Sequence, residues 1–161
     1  MSDALHIVPQ VPQAPLASSR DARTRMKANK GRDTAPEMAV RREVHRRGYR
    51  FRVDRAPLRS LRCRADLVFG GDQLAVFVDG CFWHGCPEHM SWPKANRDWW
   101  KAKIAATVAR DRRNDSILSE SGWTVLRVWE HDPPQLAADL VADTLAALRS
   151  GSSQRRNESC R

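Results

Sequence analysis

"RADLVFGGDQLAVFVDG", residues 64–80, decides the fold. Two apolar runs, 64–69 and 73–80, flank the glycine-rich link Gly70-Gly71-Asp72-Gln73. Short runs of β-branched and aromatic residues joined by such a link predict a β-hairpin. Pairing Phe69 with Leu74 would set Asp66 opposite Phe77. Asp79 then becomes its diagonal neighbour on the same face, about 7–8 Å away. A one-residue slip would undo this, because side chains alternate between faces.

Upstream, "YRFRV" (49–53) alternates as a strand does. Before it, Thr34-Ala35-Pro36-Glu37 is a helix start, with a capping-type Thr, an early Pro and a Glu three residues on. That helix is predicted to run to Arg47 and to end at Gly48. Glu37, Val40, Arg41 and Val44 share one stripe of it. Downstream, a long helix is predicted from Asn96 to Ser121. Trp100, Ile104, Val108 and Asp111 lie on one side of it. "WTVLRVWE" (123–130) predicts a fourth strand and "PPQLAADLVADTLAALR" (133–149) a final amphipathic helix. Helix, three strands, helix, strand, helix is the order of an α/β domain, a central mixed sheet flanked by helices. This domain is assigned to residues 20–149. Residues 1–19, with three prolines, read as a disordered leader, and residues 150–161 as a disordered tail. Between leader and first helix lies a basic segment, an arm or short helix, whose one large apolar residue is Met26.

The 161 residues carry a formal charge of +9 and a pI near 10.2, which favours a polyanionic partner, chiefly nucleic acid. No apolar run approaches the roughly 20 residues of a membrane-spanning helix, and no secretory signal is evident, so a cytoplasmic setting is expected. In that setting the four cysteines are thiols or metal ligands rather than disulfides.

The loop after the second hairpin strand, "CFWHGCPEH" (81–89), concentrates the chemistry. Cys81, Cys86 and His89 supply three ligands of a structural zinc site, and zinc takes four, arranged tetrahedrally. His131, at the end of the fourth strand, and Cys63 are the candidates for the remaining position. Glu37, Asp66, Asp79 and Asp111 are all expected on inward or central faces. Converging carboxylates call for a divalent cation such as Mg²⁺, or else for separate salt bridges with the many arginines. Phe82, Trp83, Trp99 and Trp100, with Lys103 one turn on, are rings and charge able to stack on bases or pack in the core.

Assembled in this order, these residues resemble the very short patch repair (Vsr) DNA mismatch endonucleases. The resemblance runs from about Arg20 to Leu148. It is carried by "FVDGCFWHGCPEH", with "RDTAPE", "RADLVF", "DWWKAKI", "VARDRRND" and "GWTVLRVWE" in support. It implies a fold like that of type II restriction endonucleases with a structural zinc. The implied reaction is a nick in one strand beside the T of a T·G mismatch, the product of 5-methylcytosine deamination. Asp66 matches the essential metal-binding carboxylate, and Val78 the position whose carbonyl also contacts Mg²⁺. His84 matches the histidine that activates water. Glu37 and Asp111 match acidic positions around that centre. Cys81, Cys86, His89 and His131 match the zinc ligands. Phe82, Trp83 and Trp100 match an aromatic wedge, and Met26 an intercalating residue on an N-terminal arm. The chain departs from some relatives at Asp79, where a histidine can stand and where a further carboxylate joins the site. Arg64-Ala65-Asp66 also replaces a Pro-Asp pairing. A monomer acting on double-stranded DNA is implied, with mismatch-repair factors as further partners. A restriction-type nuclease cutting a defined duplex site and a zinc-stapled, non-catalytic DNA-binding module are the alternatives.

Overall fold

The computed structural model describes residues 9–28 and 31–158, without the side chains of residues 22, 25–27 and 152–158. Two helices, α1 (Arg20–Ala28) and α2 (Ala35–Arg46), precede three strands, β1 (Arg52–Arg55), β2 (Ala65–Phe69) and β3 (Leu74–Asp79). Then come α3 (Arg97–Glu120), β4 (Thr124–Trp129) and α4 (Pro134–Glu158). The sheet has the order β1-β2-β3-β4. Its first three strands are antiparallel and β3 pairs parallel with β4, which makes it mixed. A parallel pair needs a long crossover, and α3 supplies it.

The hairpin register is the expected one, with Phe69 facing Leu74 and Leu67 facing Val76. Period-two alternation then sorts the apolar residues into two cores. Leu67, Phe69, Leu74, Val76 and Val128 pack with Val40 and Val44 of α2 and with Ala137, Ala138, Val141 and Leu145 of α4. On the opposite face, Val68, Ala75 and Phe77 pack with Leu118 of α3; Ala65, the first residue of β2, joins this cluster although the alternation alone would not put it there. The result is three layers, α2 and α4, the sheet, and α3. Burying one such Leu or Val contributes roughly 1.5–3 kcal/mol, so the two cores hold the layers against chain entropy.

The start of α2 departs from a full capping box. Thr34 makes no side-chain cap bond to the helix. Instead Glu37 reaches back to accept the Asp33 amide and the Thr34 hydroxyl, both at 2.9 Å. β1 begins three residues later than the alternation predicted, because Tyr49 and Phe51 are drawn into packing against the first core. α4 continues through Glu158, so the tail expected from residue 150 is helical for most of its length. Ser, Gln and Arg are acceptable helix residues and no proline stops the helix. Residues 9–17 carry no helix or strand. Residues 1–8, Lys30 and residues 159–161 lie outside the described residues, and so does the side chain of Met26.

Candidate active site and metal centre

β2 runs antiparallel to β3, and β3 parallel to β4. The start of β2 and the ends of β3 and β4 therefore meet at one edge of the sheet. Asp66, Asp79, the 80–90 loop and His131 all belong to that edge.

Cys81, Cys86, His89 and His131 come together there, with one ligand atom from each lying within 4.8 Å of the others. Cys81 Sγ is 3.0 Å from His131 Nδ1, and Cys86 Sγ is 3.9 Å from both His89 Nδ1 and His131 Nδ1. Two sulfurs and two nitrogens at such separations fit the corners of a tetrahedral site. Cys63 takes no part in this group and packs against the second core instead. Burial and the neighbouring Cys86 push the Cys81 thiol up to about 11. A cation there would displace protons as it bound. Glu130 braces the loop by accepting the Cys81 amide at 2.6 Å. At Gly85, φ is +67°, and an added Cβ would approach Ile104 Cγ2 of α3 to 3.2 Å. A glycine therefore lets the loop lie against α3.

Asp66 is the least compensated carboxylate on the edge. Its Oδ2 accepts the Val78 amide at 2.8 Å. Its other oxygen stands 3.7 Å from Arg41, which is closer to Glu37, at 3.1 Å, and to Asp33, at 2.5 Å. Burial pushes the Asp66 carboxyl up to about 6; Glu37 and Asp79 add to this, while the Val78 amide and Arg41 oppose it. In an extended strand the N–H and C=O of one residue face the same neighbour. The Val78 carbonyl therefore points toward β2, the strand that carries Asp66. A half-buried carboxylate and a strand carbonyl, with Glu37 and Asp79 nearby, form an oxygen donor set that suits a hard divalent cation.

His84 stands between two acids. Its Nδ1 is 2.7 Å from Asp111 Oδ2 and 3.6 Å from Asp79 Oδ1. An ionised carboxylate only accepts, so Nδ1 carries the proton and Nε2 is left as the basic atom. Although burial raises it, the hydrogen bond from His84 and the charge of Arg127 hold the Asp111 carboxyl below its usual value.

Asp79 is engaged on both oxygens by Arg127 Nη1, at 2.7 and 2.8 Å. Arg127 also grips Asp115 through Nε and Nη2, at 2.9 and 3.0 Å, and lies 4.7 Å from the Phe77 ring centre. Burial works against its charge, but the two aspartates keep it firmly protonated. Arg127 and Asp115 were not singled out from sequence, and Arg41 only as a member of the α2 stripe. A signal existed for Arg127, one cation inside the apolar strand "WTVLRVW".

Beside the metal group, Phe82, Trp83 and Trp100 form a triangle with ring centres 5.1–5.9 Å apart, and Trp99 stacks edge-on to Trp100 at 4.8 Å. All four rings are half-buried rather than fully exposed. They line a cavity of about 640 Å³ whose other wall is residues 14–18 of the N-terminal segment. That segment is held by Trp99 Nε1 donating to the Pro12 carbonyl at 2.9 Å and Asn96 Nδ2 to that of Leu16 at 3.4 Å. Lys103 is half-buried on α3, one turn beyond Trp100.

A carboxylate–imidazole pair, a Cys-Cys-His-His group and an aromatic cavity thus lie together at one end of the sheet of a mixed α/β fold. Residues 17–89 match the family model described as DNA mismatch endonuclease Vsr. The nicking enzyme V.NaeI of Lentzea aerocolonigenes is 43% identical over 141 residues, 86% of this chain and 83% of that protein. V.XorIIP, a nicking enzyme of Xanthomonas oryzae, is 40% identical over 114 residues, 70% of this chain and 82% of that one. The DNA mismatch endonuclease Vsr of Escherichia coli is 38% identical over 122 residues, 71% of this chain and 74% of the other. The chain belongs to the Vsr family and is a DNA endonuclease. Among the described residues, no helix is long and apolar enough to cross a membrane.

Proposed function

We propose that this endonuclease nicks one strand of duplex DNA beside the T of a T·G mismatch, in a Mg²⁺-dependent reaction that begins repair of deaminated 5-methylcytosine. The observation that carries the reading is the placement of Asp66 and the His84–Asp111 pair on the same edge as the aromatic triangle. A base pair must be opened where the strand is cut, and this edge has groups for both tasks.

Exposed cations, among them Arg23, Arg32, Arg112 and Arg113, hold phosphates without reading sequence. Phe82, Trp83 and Trp100 wedge beside the weak pair, with Met26 and Lys103 as further DNA contacts. Unstacking costs a few kcal/mol, and less where the pair is already mismatched. Asp66 and the Val78 carbonyl hold the cation, with Glu37 and Asp79 completing the acidic surround. When bound, Mg²⁺ polarises the phosphate and stabilises charge on the attacking and leaving oxygens. His84 Nε2 takes the proton of the incoming water, while Asp111 stabilises the imidazolium that results. Cys81, Cys86, His89 and His131 hold zinc, which does no chemistry but fastens the loop carrying Phe82, Trp83 and His84.

The wider reading has a restriction-endonuclease-like domain over residues 20–149, acting as a monomer in the cytoplasm beside the nucleoid, with mismatch-repair factors as partners. The test is a nicking assay on T·G, other mismatched and matched duplexes in randomised flanks, with Mg²⁺ or chelator. A single nick beside T, only in T·G duplexes and only with Mg²⁺, is expected. Cutting of both strands at a matched site would replace this reading with a restriction-type nuclease. No cutting under any condition would leave a binding module.

A further inference from the structure

Between Asp54 and Asp66 the chain carries four arginines and no carboxylate. Most of this stretch is the connection from β1 to β2, and it is a built surface rather than a loose loop. Leu58, Leu61 and Cys63 pack against the second core. Each is followed by an exposed arginine, Arg59, Arg62 and Arg64. Backbone bonds from Leu61 to Leu58 (3.3 Å) and from Cys63 to Leu61 (2.8 Å) fix the turns. Arg64 is spent on Asp54, at 2.7 Å, which also takes Arg32 at 3.0 Å. Arg55, Arg59 and Arg62 have no carboxylate partner among the described residues.

Topology puts this connection on the catalytic edge. It leads directly into Asp66, and the Cys63 thiol feels the charges of Arg127, Asp115, Asp111 and Arg110. Unpaired guanidiniums gathered on an ordered segment repel one another, and a polyanion removes that cost. Their planar forks match phosphate oxygens in pairs.

We propose that the β1–β2 connection is a second phosphate-binding surface, on which Arg55, Arg59 and Arg62 grip the DNA backbone flanking the cut. This rests on DNA as the partner and not on which mismatch is recognised. Binding of a matched duplex, over a series of salt concentrations, therefore tests it separately from nicking specificity. Each phosphate contact contributes about 0.9 to the slope of log K against log salt. The Arg55→Gln/Arg59→Gln/Arg62→Gln protein should lose about 2.7 from that slope and bind about tenfold or more weakly at low salt. A charge-matched control, Arg42→Gln/Arg46→Gln/Arg50→Gln, removes exposed cations from the later part of α2 and the segment after it. It should keep the wild-type slope. An unchanged slope in the first protein, or an equal fall in both, would overturn the proposal.

Discussion

Asp66 accepts the Val78 amide at 2.8 Å, so the carboxylate lies against the backbone of the neighbouring strand with Glu37 and Asp79 close by. Replacing it removes the oxygen on which the metal reading depends. Asp66→Ala is expected to bind a T·G duplex as the parent does and to nick it at least a thousandfold more slowly, on the order of the electrostatic terms such sites supply. Gel shifts and single-turnover nicking measure the two quantities. Nicking at the parent rate would remove Asp66 from the centre.

The same environment gives a pH signature. Burial holds the Asp66 carboxyl up at about 6, so below that value a proton competes with the cation. The Mg²⁺ concentration for half-maximal nicking should be flat from pH 7 to 8 and rise about tenfold per unit below 6. For stability the sign is the opposite. A raised carboxyl favours the folded, metal-free protein below about pH 4 and loses that advantage as pH climbs through 6. Asp66→Asn should therefore stabilise the metal-free protein at pH 8, by about 1–3 kcal/mol in urea melts, and give no gain at pH 4. Destabilisation at pH 8 would show that the carboxylate is compensated.

Arg127 joins Asp79 of β3 to Asp115 of α3 with four hydrogen bonds. Removing one partner of a buried ion pair costs about 3–5 kcal/mol, because the others are left uncompensated. Arg127→Met should lose about that much in thermal or urea unfolding. Adding Asp79→Asn and Asp115→Asn should recover part of it. If the triple variant is no more stable than Arg127→Met, packing rather than charge is what Arg127 supplies.

The hairpin was legible because Gly70-Gly71 and the flanking Val and Phe runs are local signals, and one register aligned two carboxylates on one face. The Cys-Cys-His part of the metal group was legible for the same reason, since its ligands lie within nine residues. The fourth position stayed open between His131 and Cys63 on spacing alone, because His131 reaches Cys81 only through the parallel pairing of β3 with β4. Arg127 was hidden likewise, since its partners lie 12 and 48 residues away. Tertiary context also moved element ends. α4 outran its expected end at Arg149, and β1 started late because Phe51 packs on Phe69.

The metal group makes a further prediction. Cys81 and Cys86 are buried thiols beside two imidazoles, and a bound zinc contributes folding free energy directly. Purified protein should hold one zinc per chain by elemental analysis. His131→Ala should lose it or bind it far more weakly, whereas Cys63→Ser should retain it. Chelation should lower the melting temperature by 10 °C or more, a shift that corresponds to several kcal/mol in a domain of this size. Full zinc retention by His131→Ala with loss in Cys63→Ser would exchange the two ligands.

Trp83 and Phe82 touch edge-on at 5.2 Å, and both touch Trp100. Trp100 also packs on Trp99, so its loss would loosen the whole triangle and mix stability with recognition. Trp83 makes fewer ring contacts and separates the two effects. A wedge acts by lowering the cost of an open base pair, worth a few kcal/mol per step. Trp83→Ala should slow nicking of a T·G duplex by ten- to a hundredfold, with matched-duplex affinity changed by less than about threefold, because phosphate contacts carry the latter. Trp83→Phe, which keeps a ring, should restore most of the rate. A base analogue that fluoresces when unstacked, placed beside the mismatch, reports the opening itself. Its signal should rise on binding to the parent protein and stay low with Trp83→Ala. A full rise with the alanine protein would mean that Trp83 is a core residue and that the pair is opened by other groups.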